Sequence, residues 1–138
     1  MLGFTLLLLT GLVIALGATV LLVMHRLRRP PRRTYAAAIA RNIPGDPSEA
    51  DPPREFRAFT FDAPTQPGGP TSPRTCWDIR GENPVGPVII CSPGWGDSKV
   101  GAIPRLAALA PVASSIIALD SGGLGESPGL CRLGSHAD

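Results

Sequence analysis

The chain has 138 residues, 16 of them proline and 16 glycine, and much of its first half is not domain-like, which leaves too little sequence for a large independent core. Its net charge of +2 hides an asymmetry: Arg26, Arg28, Arg29, Arg32 and Arg33 sit together while the remainder is mildly acidic, so one segment rather than the whole protein is basic. Three cysteines, Cys76, Cys91 and Cys131, are an odd number without CxxC spacing, which supports neither a disulfide framework nor a zinc site and fits a reducing compartment.

Met1 to Met24 contains no charged residue. As a helix it would reach about 36 Å, enough to cross a bilayer core. A secretory signal carries its positive charge before the apolar run, whereas here the arginines follow it, so residues 1-24 are expected to be a transmembrane helix whose partner is the lipid bilayer, with a cleaved signal sequence as the alternative. The positive-inside rule then places the C-terminal part in the cytoplasm. The arginines read first as a topology signal and second as an attraction to anionic headgroups. Nucleic acid is not expected as a partner, because no aromatic residues interleave with them as a stacking platform needs. Gly11, Ala15 and Thr19 fall at four-residue spacing, a pattern that lets membrane helices approach, but small residues are common in such helices.

Pro30 to Pro73 is interrupted by ten prolines, and residues 25-54 read as a basic, Pro-rich linker. Within Arg54 to Asp62, Phe56, Ala58 and Thr60 alternate against Arg57, Phe59 and Phe61, which predicts a strand with aromatic residues on each face. A second strand is predicted at Thr75 to Arg80, and the intervening PTQPGGPTSP supplies turn chemistry for an antiparallel pair.

Val88 to Cys91 is apolar without alternation and β-branched at three positions, as expected of a strand covered on both faces. Pro93, Gly94 and Gly96 stop it, and Asp97 and Ser98 are placed to cap a following helix. That helix is predicted from about Ile103 to Ala110, with Pro104 near its start, and Ile116 to Leu119 forms a second parallel strand ending at Asp120 and a glycine cluster. Strand, turn, helix, strand is the unit that exposes backbone donors where ligands bind in open α/β sheets.

From Phe56 onward these residues resemble the α/β-hydrolase superfamily. SPGWGDS resembles the HGxGxS turn after that family's third strand, with Pro93 where histidine is usual and Gly94, Gly96 and Ser98 matching. DSGGLGES, Asp120 to Ser127, resembles DxRGxGxS after the fourth strand, with Gly122 in place of arginine. The resemblance implies that the backbone N–H of Trp95, not its indole, donates to the oxyanion of a tetrahedral intermediate; the competing reading of Trp95 is an aromatic lid over the sheet edge. Asp120 and Ser127, with Gly94, Gly96, Gly123 and Gly125, are expected to shape turns rather than to catalyse.

Gly125-Glu126-Ser127-Pro128-Gly129 matches the GxSxG nucleophile elbow letter for letter. It fails chemically, because the second oxyanion donor would be the N–H of the residue after the serine, and Pro128 has none. A GxGxxG dinucleotide fingerprint from Gly123 fails at Pro128 as well. His136 stands near the end of the sequence with no group to orient it and reads as a surface histidine.

The expected architecture is therefore α/β: a transmembrane helix (1-24), a linker (25-54), and the first half of an α/β-hydrolase sheet (55-138), an antiparallel strand pair followed by a parallel strand-helix-strand unit. If the resemblance holds, the chain stops before the fifth strand, the serine elbow, the later acid and the histidine. It is then the inactive N-terminal portion of a membrane-anchored serine hydrolase acting on an ester, amide or related acyl substrate. That leaves the Val88 strand on an open edge where self-association is expected. No cofactor or metal is implied. The alternative expectation is a non-catalytic single-pass membrane protein whose small α/β module binds a partner.

Overall fold

A computed structural model of the chain describes residues 2–65 and 68–129. Helix α1, Leu2–Arg28, is apolar on every side up to its basic last turn, and residues 3–28 are exposed rather than buried against the rest of the protein. Its 18-residue window of highest mean hydropathy scores 2.7, so it is long and apolar enough to cross a membrane. It ends where Pro30 and Pro31 remove two backbone donors.

The segment expected as a linker carries two short elements. Helix α2, Tyr35–Ile39, starts at Thr34, whose hydroxyl accepts from Ala37 N–H at 3.3 Å. A 3₁₀ turn, Pro47–Glu49, starts at Asp46, whose carboxylate accepts from Ser48 N–H at 2.8 Å. Glu49 ties the two together by accepting from the Tyr35 hydroxyl at 2.7 Å and from Gly45 N–H at 2.8 Å. Ala50 then joins the hydrophobic core.

Four strands form one mixed sheet: β1 Phe56–Pro64, β2 Thr71–Arg80, β3 Val88–Cys91 and β4 Ser115–Leu119, in the order β1-β2-β4-β3. The β1/β2 and β2/β4 pairs are antiparallel and β3/β4 is parallel. Between β3 and β4 the chain forms a 3₁₀ helix, Lys99–Arg105, continued by the short α3, Leu106–Leu109. This departs from the single helix expected at Ile103 to Ala110. Pro104 lies inside the first part, where it has no N–H to give to a regular α-helical ladder, and the tighter winding takes its place.

One face of the sheet is packed and the other is not. Trp77 and Ile79 of β2 sit opposite Ala118 and Ile116 of β4, which in turn face Cys91 and Ile89 of β3. This face meets Ala102, Ile103, Leu106 and Ala110 to form the core, with Phe56 against Trp77 edge to face at 5.7 Å. On the opposite face Val88 is 60% and Ile90 68% exposed. The expectation that β3 is covered on both faces is thus corrected: its apolar run is continuous, yet among the described residues only the helical layer packs on it. β3 is also one of the two edge strands of the sheet, β1 being the other.

Candidate functional site

Because β3 and β4 are parallel neighbours, the turns that leave their C-terminal ends emerge side by side. The turn after β3 is closed by Asp97 N–H, which donates to Gly94 C=O at 3.1 Å, with Gly96 at φ +70° in the position where a type II turn requires left-handed backbone. Gly94 has nothing within 4 Å of where a Cβ would stand, so its backbone is open to approach. A cleft of about 220 Å³ opens here, lined by Ser92, Gly94, Asp97, Ser98, Lys99 and Arg105 among others.

Trp95 does not line that cleft. Its indole N–H donates instead to Leu27 C=O at the end of α1, at 3.0 Å, and the residue remains 40% exposed. Its backbone N–H has no acceptor among the described residues, leaving a free donor on the turn.

The capping of the following helix is not made as expected. Ser98 occupies the cap position without a side-chain hydrogen bond, and its buried Oγ has no partner among the described residues. Asp97 accepts from Ser98 N–H at 2.9 Å. The first helical N–H, that of Lys99, is taken by Asp120 of the neighbouring turn at 2.7 Å.

Asp120 is wholly buried and organises both turns. Its carboxylate also accepts from the Lys99 ammonium, the Thr75 hydroxyl and Glu126 N–H, each at 2.9 Å. Lys99, itself buried, donates further to Thr75 Oγ1 at 3.0 Å and to Glu126 at 2.7 Å, and stands 5.2 Å from the centre of the Trp77 ring. A buried ion pair survives only when its remaining hydrogen-bonding capacity is filled, and here it is. Ser127 Oγ accepts from Thr75 N–H and donates to Asp120 C=O, both at 3.0 Å. Gly123 and Gly125 take φ +74° and +51°. A Cβ on Gly125 would fall 2.2 Å from the Asp120 carboxylate.

Lys99 and Thr75 were not singled out by sequence reasoning. The one available signal was that Lys99 is the only lysine among thirteen basic residues. Arg74 was missed as well. It is buried, its Nη1 has no partner among the described residues, and its guanidinium lies 2.8 Å from where Gly122 would carry a Cβ. Gly122 is the position at which the resemblance leads one to look for arginine.

The described residues hold no activated nucleophile. Ser127 is fully buried and its hydroxyl hydrogen bonds, to Thr75 N–H, Thr75 Oγ1 and Asp120 C=O, are all internal. Burial pushes the thiol of Cys91 above the usual cysteine range, and burial together with the Asp120 carboxylate does the same for Cys76, so both stay protonated and unreactive near neutral pH. Ser98 lines the cleft, but no histidine stands near it; the one described histidine, His25, lies in α1. Cys131 and His136 fall outside the described residues.

Compared with known proteins, the chain matches no family model, no curated protein and no solved structure.

Proposed function

We propose that this chain carries the oxyanion half of a membrane-anchored serine hydrolase of the α/β-hydrolase kind, an enzyme that transfers an acyl group from an ester, amide or related substrate to water. One observation carries the reading. The turn after β3 and the turn after β4 are fastened together by Asp120, which takes the first N–H of the helix that follows β3 and the ammonium of Lys99. The strand order β1-β2-β4-β3 supports it, as does the Arg74 guanidinium over Gly122, a positive charge delivered from a neighbouring strand to the place where the DxRGxGxS pattern has its arginine.

In this reading the fixed turn aims the free Trp95 N–H at the carbonyl oxygen as negative charge develops there. A preorganised donor of this kind is worth about 10²–10³ in turnover, because no dipole has to reorient during the reaction. Asp120, Lys99, Thr75 and Ser127 act on that donor only through the backbone they hold. The nucleophile, acid and histidine base come from other sequence. Residues 1-24 span the bilayer, and the arginines that follow keep the domain on the cytoplasmic side.

A second reading, a partner-binding module without catalysis, is favoured by the exposed Val88 and Ile90 on the open edge strand, which offer both unpaired backbone and apolar surface. Treatment of the 138-residue chain with a fluorophosphonate probe is expected to leave every serine unlabelled. Stoichiometric labelling of one serine that is lost on denaturation would overturn the assignment of the nucleophile to other sequence.

A further inference from the structure

In the last turn of α1 the His25 carbonyl still accepts from Arg29 N–H at 3.0 Å, but the helix has no N–H left for Leu27. Leu27 C=O would normally accept from residue 30 or 31, and both are prolines without an N–H. The Trp95 indole fills that vacancy at 3.0 Å. The next residues also lie on the two turns. Pro30 stands 3.0 Å from where Gly96 would carry a Cβ, Arg33 pairs with Asp97 at 3.2 Å, and Arg32 donates to Gly129 C=O. The turn that bears the free amide is thereby strapped to the exit of the apolar helix.

The depth of this contact follows from the sequence. The charge-free run ends at Met24, and three further residues of helix place Leu27 about 4.5 Å beyond it. The headgroup layer on each side of a bilayer is about 5–7 Å thick. With Met24 at the edge of the hydrocarbon core, Trp95 falls within that layer, where an amphipathic ring is well accommodated, and Arg26, Arg28 and Arg29 adjoin Leu27 in the sequence with charges that suit anionic headgroups.

We infer that Trp95 is a membrane-interface anchor that holds the β3 turn and its cleft in the headgroup layer, so that the substrate is the acyl group of a membrane-resident amphiphile rather than a water-soluble ester. The anchor rests on the spanning of the bilayer by α1, and the substrate class rests in addition on the acyl-transfer reading. Indole and amide of one residue then have separate tasks: the side chain sets the depth and the backbone faces the carbonyl.

The test uses the full 138-residue chain in vesicles of phosphatidylcholine with anionic phosphatidylglycerol, containing a nitroxide either on the headgroup or deep in the acyl chain. Trp77 lies in the core, so the difference between the wild type and Trp95→Phe isolates the Trp95 emission. Headgroup nitroxide is expected to quench that emission more strongly than the deep nitroxide does. Equal quenching in Trp95→Phe, stronger quenching by the deep label, or free access of aqueous acrylamide without lipid quenching would each overturn the anchor. Because this readout needs no catalysis, it separates the position of the turn from the acyl-transfer reading: failure of the hydrolase assignment alone would leave the quenching intact.

Discussion

Replacing Asp120 with alanine is expected to destabilise the sheet domain by about 3–5 kcal/mol, the cost of leaving a buried cation without its counter-charge. The loss extends beyond the pair. Lys99 N–H, Glu126 N–H and the Thr75 hydroxyl all give up their acceptor at once. Lys99→Met should cost less, because Asp120 would keep the two backbone donors and the Thr75 hydroxyl. A chemical readout is built into the sequence. Lys99 is the only lysine, so an amine-acylating reagent has one ε-amine to find. In the native chain Lys99 should resist acylation, and in Asp120→Ala the rate should rise by two orders of magnitude or more, on the order of the equilibrium change that such a loss implies. Equal protection of Lys99 in both proteins would show that the pair does not hold the turns together.

Gly125→Ala is expected to act on the same network from the other side. The left-handed backbone at φ +51° costs an L-residue roughly 1–2 kcal/mol, and displacing the carboxylate from some of its donors adds about 1–2 kcal/mol, for a total of roughly 2–4 kcal/mol. Gly94→Ala is the matched control, since its Cβ would meet nothing within 4 Å and its backbone is not left-handed. It should change stability by less than about 0.5 kcal/mol. Guanidinium unfolding of the detergent-solubilised chain, followed by Trp77 emission in a Trp95→Phe background, measures both. If the two glycine variants unfold at the same midpoint, the packing of the β4 turn around Asp120 is not as described.

Much of the sheet was legible because its signals are local. The unbroken apolar runs at Val88 to Cys91 and Ile116 to Leu119 mark β3 and β4, and the alternation around Phe56 marks β1. The elements between Thr34 and Ala50 were not legible. The buried residues of this segment are Ala38, Gly45, Pro47 and Ala50, small side chains that leave no periodic pattern, and its order comes from the Glu49 hydrogen bonds and tertiary contact. The extent of β2 was underestimated because Pro73 reads as a breaker, although Thr71–Arg80 is a single strand paired with β1 along its length.

The site was legible as two turns and not as one assembly. Of the glycines expected to shape these turns, Gly96, Gly123 and Gly125 lie at φ +70°, +74° and +51°, and Gly94 is not left-handed. The capping by Asp120 did not show, since Asp97 and Ser98 are the nearer polar residues and a cap is ordinarily sought within the same turn. Lys99 reaches partners 24, 21 and 27 residues away in Thr75, Asp120 and Glu126, contacts that only the pairing of β2 and β3 with β4 creates. The strap from Leu27 to Trp95 spans 68 residues and depends on an absence, the missing N–H groups of Pro30 and Pro31.

The acyl-transfer reading is tested most directly on the native gene product, captured from its own membranes with an antibody to residues 55-138 and treated with a fluorophosphonate probe. The account predicts labelling of a serine within a GxSxG sequence outside these 138 residues, abolished when the membranes are boiled first. A captured protein that stays unlabelled while a control serine hydrolase in the same membranes reacts, or one labelled at Ser98 or Ser127, would contradict it.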